Sequence, residues 1–392
     1  MIGIGFSIFS RATVDIPITL QTKQTIFKAG DNIVLRFTTN EQAVRLYCHS
    51  SYGVSILDAN KDGKDVIFTI PDHFTSKKGV LNYKLVHTTK VVFEGVITIV
   101  ANSETTTQLE TYIGPPDITA GGKNHTMMVV IPTDSYDNPV EDSTSIKMKH
   151  QFLDTEKETI QFSKDFIGWE RIFSFERSGR ILASNEVNGT ASKEFAIEVF
   201  SANAVDFEIN YQRKHGYADG NQITTFTTSV IKDMYENIIS DGTLVTFFVR
   251  NAKGMILKTN GTTVNGIAKG KLLHPDHMDQ WEVKAYITGI AESTTLSLIY
   301  EQSTADFDVN FQNKNRRIRV GPLQSFMGQR MPDGAVITCL IYREGKYLET
   351  KTKTSSNGFV DFIVDEGFYP AGSYNFKIEG LGIHKEFKDV VL

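Results

Sequence analysis

One stretch of this sequence decides the fold: residues 231–251 read IKDMYENIISDGTLVTFFVRN. Asp233 and Asn237 carry short polar side chains that can bond back to their own backbone, and the Asp-Gly pair that follows favours a tight turn. The β-branched and aromatic run from 243 to 249 then predicts a strand. A turn joined to a strand of this kind indicates a hairpin of a β-sandwich.

Several short stretches of the sequence recur at a spacing of about one hundred residues. Residues 206–212, DFEINYQ, return as residues 306–312, DFDVNFQ. The turn repeats as well, because Tyr136 and Asn138 match Tyr235 and Asn237. Two further dipeptides recur at a shift of 92, namely Asp241-Gly242 as Asp333-Gly334 and Asn265-Gly266 as Asn357-Gly358. Internal repeats at this spacing predict a tandem array of similar domains.

The pattern that starts at Asp233, Asp-x-Tyr-x-Asn-x-x-x-Asp-Gly-Thr-x-Val-Thr-Phe, resembles the bacterial immunoglobulin-like domains of the invasin and intimin type. Those domains usually carry Asp-x-x-Gly-Asn-Pro-Val at this turn, and residues 138–140, Asn-Pro-Val, restore its end in the second repeat. Residues 357–362 and 369–374 of the last repeat also resemble transthyretin-like domains, which accompany carboxypeptidases and bacterial surface proteins. The resemblance implies small sandwiches that serve as spacers and binding modules.

The predicted fold is all-β, with four tandem immunoglobulin-like sandwiches of antiparallel sheets. Boundaries near residues 103, 201 and 303 give an N-terminal strand with domain 1 at 1–103, domain 2 at 104–201, domain 3 at 202–302 and domain 4 at 303–392. No Pro/Gly/Ser-rich linker separates them, so little free backbone remains for a hinge and we expect an elongated rod. In residues 156–175 the apolar residues fit either period, so a helix is the alternative to strands there.

Composition narrows the expected partners. A formal charge of −5 over 392 residues lacks the basic excess of a nucleic-acid binder. No apolar run approaches the roughly 18 residues that a membrane span needs. Cys48 and Cys339 fall in different predicted domains, so no disulfide within a domain is expected. The apolar N-terminal stretch has no preceding basic residue, which argues against an ordinary secretory signal.

Chemistry-bearing motifs are scarce, and we expect no catalytic residue, cofactor or metal. The sequence lacks a Gly-x-Ser-x-Gly elbow, a Gly-rich phosphate loop and Cys-x-x-Cys spacing. Residues 274–277, His-Pro-Asp-His, could offer ligands to a metal, but a solvated turn is the favoured interpretation. Turn capping is the favoured role of four carboxylates, and calcium ligation is the alternative: Asp134, Asp137, Glu141 and Asp142.

Two stretches are predicted to contact partners. The first is a basic cluster at the start of domain 4, with a solvated loop as its alternative: Lys314, Arg316, Arg317 and Arg319. The second alternates apolar residues with Gly or Ser and could add as a strand to a neighbour's sheet edge or complete its own domain: Ile2, Ile4, Phe6 and Ile8.

The resemblance implies a non-enzymatic structural or adhesive component of an extracellular assembly. A bacteriophage virion protein of the tail, neck or head-decoration kind, assembled in the host cytoplasm, is the favoured interpretation, because phage lysis would explain a missing export signal. The alternative is a bacterial cell-surface adhesin or stalk fragment of the invasin and intimin type. Expected partners are other structural proteins of the assembly, copies of the chain itself, or a host surface protein or glycan. An enzyme is disfavoured because the four repeats account for the whole chain.

Overall fold

The computed structural model describes residues 17–41 and 43–392. Its strands pack in pairs of sheets around four hydrophobic cores. The prediction of an all-β chain of tandem immunoglobulin-like sandwiches is confirmed. The candidate strand from Ile2 to Ile8 lies outside the described residues. The elongated rod and the domain boundaries remain predictions.

The described chain divides into two compact units. The first runs to Phe175 and includes Gly179–Val199, and the second consists of Glu176–Ser178 and Phe200–Leu392. Domains 1 and 2 supply the sheets of the first unit, and domains 3 and 4 those of the second.

Domain 1 packs a four-stranded sheet, β1-β3-β7-β6, on a five-stranded sheet, β2-β9-β8-β4-β5. The sheets pack face to face because each strand has one apolar side. Along β3, Leu35 and Phe37 enter the core while Arg36 between them faces outward. The described part of domain 1 also contains one short helix. The elements are β1 Ile18–Leu20, β2 Ile26–Lys28, β3 Val34–Thr39, β4 Val44–Ser50, β5 Gly53–Asp58, β6 Asn60–Asp62, β7 Asp65–Thr69, α1 Asp72–Thr75, β8 Gly79–His87 and β9 Lys90–Val100.

Domain 2 packs a three-stranded sheet, β10-β12-β15, on a second sheet in the order β11-β18-β16-β13-β14, in which β17 also pairs with β16. Residues 156–175 fall on β14, β15 and the turn between them, with a short loop after β15, so the helical alternative for this segment is wrong. The elements are β10 Gln108–Gly114, β11 Asp117–Thr119, β12 His125–Thr133, β13 Ser145–Phe152, β14 Thr155–Phe162, β15 Gly168–Phe173, β16 Gly179–Val187, β17 Thr190–Ala191 and β18 Phe195–Phe200.

Domain 3 repeats this plan with the sheets β19-β21-β24 and β20-β27-β25-β22-β23, and β26 pairs with β25. The predicted strand of the motif is β22, and its Phe247 is fully buried in the same core as Trp281 of β25, as the alternation predicts. The elements are β19 Ile209–Gln212, β20 Tyr217–Ala218, β21 Ile223–Thr228, β22 Leu244–Arg250, β23 Ile256–Thr262, β24 Lys269–Leu273, β25 Asp279–Ile287, β26 Ala291–Glu292 and β27 Leu296–Gln302.

Domain 4 packs the sheet β28-β29-β32 on the sheet β31-β30-β33-β34. Cys339 lies buried in its core, and Cys48 lies buried in the core of domain 1. Among the described residues no helix is long and apolar enough to cross a membrane. The elements are β28 Val309–Gln312, β29 Arg317–Val320, β30 Val336–Arg343, β31 Lys346–Thr354, β32 Val360–Ile363, β33 Ser373–Gly380 and β34 Ile383–Val391.

Candidate functional site

The invasin-type motif forms a closed turn around a buried carboxylate. In domain 2, the Asp134 N–H donates to the Asn138 carbonyl at 2.9 Å. The Asp134 carboxylate accepts hydrogen bonds from the backbone N–H groups of Tyr136 and Asn138, both at 2.9 Å, and from the Asn138 side chain. Asp and Asn are favoured at such turns because their side chains replace backbone partners. The motif residues therefore shape the turn themselves.

The same two side chains tie this turn to domain 1. Asn138 Nδ2 donates to the Ser76 carbonyl at 2.9 Å, and the Lys78 N–H donates to Asn138 Oδ1 at 2.8 Å. The Asn102 N–H donates to Asp134 Oδ2 at 2.9 Å. We call this set of three hydrogen bonds the brace. It fixes the turn of domain 2 against two separate segments of domain 1.

The second unit contains a second copy of the brace. Asn237 Nδ2 donates to the Glu176 carbonyl at 2.7 Å, and the Ser178 N–H donates to Asn237 Oδ1 at 2.8 Å. The Ala202 N–H donates to Asp233 Oδ2 at 2.7 Å. The same atoms form the same bonds about one hundred residues later. The repeated sequence motif is therefore a repeated bonding motif.

Electrostatics keep both brace carboxylates ionised. Burial alone raises the pKa of Asp134 and of Asp233, but the N–H donors around each carboxylate together hold its pKa below the usual 3.8. These donors also occupy the Asp134 oxygens, which supports turn capping as its role. Among the described residues, no group of three or more His, Cys, Asp or Glu side chains is placed to hold a metal ion.

Domain 4 has the turn without the brace. Ser325 and Gln329 stand where domain 3 has Asp233 and Asn237, and the Ser325 N–H still donates to the Gln329 carbonyl at 2.8 Å. No side-chain hydrogen bond of Gln329 to a described residue occurs. The turn instead places Phe326 against Tyr217 of domain 3, with ring centroids 4.6 Å apart. This contact is apolar and less directional than the brace.

The turn at residues 274–277 is not fully solvated, in contrast to the prediction from the sequence. His274 is buried and not solvated, and its Nδ1 lies 2.9 Å from the Tyr217 carbonyl, while the half-buried His277 pairs with Asp276. Its Nε2 is buried without a hydrogen-bond partner among the described residues. Burial is the main cause that lowers the pKa of His274, opposed by the Tyr217 carbonyl and the Asp219 carboxylate.

We expect the stability of domain 3 to fall as the pH falls through 6.5, the ordinary pKa of histidine. The folded state binds this proton less readily than the unfolded chain, so its contribution is present above 6.5 and is lost below it. Hydrogen exchange of β24 and β25 amides, measured at pH 7.5 and 5.5, checks this. His274→Gln should flatten the pH dependence and His277→Gln should preserve it; equal slopes in all three proteins would contradict the prediction.

The basic cluster is largely engaged within domain 4. Arg317 makes a bidentate pair with Asp361 at 3.1 and 2.8 Å, and Arg319 lies over the Phe359 ring at 4.7 Å. Arg316 donates to backbone carbonyls, among them that of residue 369 at 2.5 Å. Lys314 is exposed. Partner docking by this cluster remains a prediction, and the exposed Lys314 is its most accessible charge.

Solved structures with related folds include bacterial adhesins. The Escherichia coli adhesin FdeC matches with a TM-score of 0.46 and 14% identity over 73% of this chain and 96% of its own. Invasin, a bacterial integrin-binding protein, matches with a TM-score of 0.46 and 11% identity over 96% and 79%. The chain is similar to bacterial immunoglobulin-like adhesins. The Yersinia pseudotuberculosis adhesin InvE matches with a TM-score of 0.28 and 15% identity over 50% and 60%.

The resemblance to invasin-type domains that the motif predicted is thus confirmed, and these likenesses concern the fold. No protein-family model matches the sequence, and no curated protein matches it.

Proposed function

We propose that this chain is a non-enzymatic adhesive or structural component of a bacterial cell surface, of the adhesin or stalk type. The observation that carries the proposal is the brace. The residues that make the sequence resemble invasin-type domains, Asp134 and Asn138, are the same residues that hold the domain 2 turn against domain 1. The resemblance therefore lies in the residues that fix one domain against the next, and a spacer built of tandem domains requires such a fixed junction.

The brace supports a stalk function because it stiffens the junction between domains 1 and 2. Asp134 and Asn138 are both buried, and hydrogen bonds to a buried ionised group are shorter and stronger than neutral ones. Breaking the brace would leave buried polar atoms without partners, which is costly. A junction held in this way resists bending. A surface stalk needs that property, because it must present a binding face at a fixed distance and orientation.

The bacteriophage interpretation is not adopted. It rested on the expectation that the chain lacks an ordinary secretory signal. The adhesin alternative rests directly on the motif residues, so it is the function proposed here.

Location in the source organism tests the proposal. An antibody raised against the purified chain should label intact cells, and brief protease treatment of those cells should remove the label. The matched control is an antibody against a cytoplasmic protein, which should label only broken cells. Label confined to particles that are released on lysis and that band with DNA in a density gradient would refute the surface role and restore the virion interpretation.

A further inference from the structure

The outer face of the three-stranded sheet of domain 2 is aromatic. Tyr112 of β10, Val129 of β12 and Trp169 of β15 are direct neighbours across the strands. Two residues further along β12 and β15, Met127 lies opposite Arg171, and beyond that pair His125 lies opposite Phe173, with ring centroids 5.2 Å apart. The Tyr112, Trp169 and Phe173 side chains are 58%, 47% and 49% exposed. We call these seven residues the aromatic face.

The other domains provide internal controls, because the outer face of the corresponding sheet exposes no aromatic ring in the part of each domain that the structure describes. In domain 3, Lys269 and Lys271 stand one hundred residues after Trp169 and Arg171. Lysines on an edge strand are a common protection against unwanted pairing. The cross-strand rows on the outer faces are Thr19, Thr38 and Asp65 in domain 1; Asn210, Thr227 and Lys269 in domain 3; and Asn310, Arg319 and Asp361 in domain 4. Among the described residues, exposed aromatic rings on the outer face of this sheet are therefore specific to domain 2 and are not a requirement of the fold.

A strained turn beside the aromatic face supports a role in binding. Residues 164–167 form the same two-residue turn as 264–267 and 356–359, with matching hydrogen bonds. Its second central position has φ of 65° at Phe166, 74° at Gly266 and 78° at Gly358. This conformation suits glycine and is unfavourable for a bulky side chain. Domain 2 thus places an exposed phenylalanine where the other two domains have glycine.

The aromatic face also carries an uncommitted cation. The Arg171 guanidinium lies 5.8 Å from the centroid of the Trp169 ring. It makes no hydrogen bond or ion pair with any residue that the structure describes, whereas Arg317 and Arg319 on the corresponding sheet of domain 4 pair with Asp361. An exposed guanidinium stacked on an aromatic ring keeps its planar donor edge free for a carboxylate.

The area of the aromatic face indicates a narrow ligand. Three strands about 4.8 Å apart and six residues long cover roughly 300 Å². A stable interface between globular proteins needs about 800 Å² on each partner. A single extended chain such as an oligosaccharide fits the smaller area.

We propose that the aromatic face of domain 2, with Phe166 at its border, binds a glycan chain that carries carboxylates. Aromatic ring faces are partially negative and attract the C–H groups on the flat side of a sugar ring. Tyr112 of β10 and Trp169 and Phe173 of β15 supply three such surfaces, and Arg171 supplies the partner for a uronic carboxylate. This inference rests on the adhesive function proposed above, for which it names the ligand class.

The test is calorimetry on the purified full chain with a hexamer of galacturonic acid as the acidic probe, maltohexaose as the neutral probe and hexaglutamate as the peptide probe. The acidic sugar should bind most tightly. Trp169→Ala should weaken its binding about tenfold or more, and Arg171→Gln should remove most of the preference for the acidic over the neutral sugar. Phe368→Ala, a change at an exposed ring in domain 4, is the matched control and should bind as the parent does.

Phe166→Gly separates binding from folding. It should raise the melting temperature of domain 2, because the turn regains the residue that its φ favours, while weakening the acidic sugar several-fold. Overturning results are no binding of either sugar, equal binding by Trp169→Ala, or tighter binding of hexaglutamate, which would assign the face to a peptide. If the sugars do not bind but the antibody still labels intact cells, the glycan site would be refuted and the surface function would stand.

Discussion

Replacing Trp281 by Ala is expected to lower the free energy of unfolding of domain 3 by about 3–5 kcal/mol. The side chain is 1% exposed, and its ring centroid lies 4.7 Å from that of Tyr300. Its Nε1 donates to Asp279 Oδ2 at 3.1 Å. The substitution therefore opens a cavity between the sheets and also removes a hydrogen bond from a buried carboxylate.

Denaturant unfolding followed by hydrogen exchange in β22 and β25 measures this loss within domain 3. A matched pair lies on β22, where Phe247 is fully buried and Phe248 is 38% exposed. Phe247→Ala should cost about as much as Trp281→Ala, and Phe248→Ala clearly less, because only buried area is lost on truncation. Melting of both core variants within about a degree of the parent would show that the strand facing is wrong.

Replacing Asp134 by Ala should cost about 3 kcal/mol or more, because three backbone N–H groups and one side-chain amide donate to its carboxylate. The effect should appear on both sides of the junction, with faster hydrogen exchange at Lys78 and Asn102. Because the N–H donors lower the pKa of Asp134, the brace should hold at neutral pH and weaken as the pH falls through and below 3.8.

Ser135→Ala is the control for this prediction, since its side chain is exposed in the same turn. The same substitution at Asp233 should reproduce the effect in the second unit, because the bonds there are equivalent. If Asp134→Ala destabilised domain 2 but left exchange at Lys78 unchanged, the carboxylate would shape its own turn without coupling the domains. That outcome would remove the main support for the stalk proposal.

Sequence patterns predicted the sandwich because period-two alternation and turn dipeptides are local signals, as β22 and the Asp-Gly turn show. They could not predict the brace. Asn138 contacts backbone groups of Ser76 and Lys78, and any residue could supply those groups. The burial of His274 could not be predicted either, because it depends on which parts of the fold pack over the turn. The adjacent proline indicates a turn, but not which side of that turn the sheets cover.

The aromatic face left a signal that periodicity alone did not resolve. Phe166 falls within the segment 156–175 that fits two periods, so periodicity does not align it with Gly266 and Gly358. Register settles the matter, because the structure pairs Lys164 with Ile167 just as it pairs Val264 with Ile267. A bulky residue at a glycine position is informative only when the turn geometry is known.

The two buried thiols have a consequence for redox behaviour. Burial raises the pKa of Cys48 and of Cys339 to about 12. The thiolate is the form that attacks disulfides and reacts with oxidants, so almost none of it forms at neutral pH. Each sulfur is also enclosed by its own core. Folded chains can therefore stand in oxidising surroundings, close-packed with their neighbours, without becoming cross-linked through sulfur.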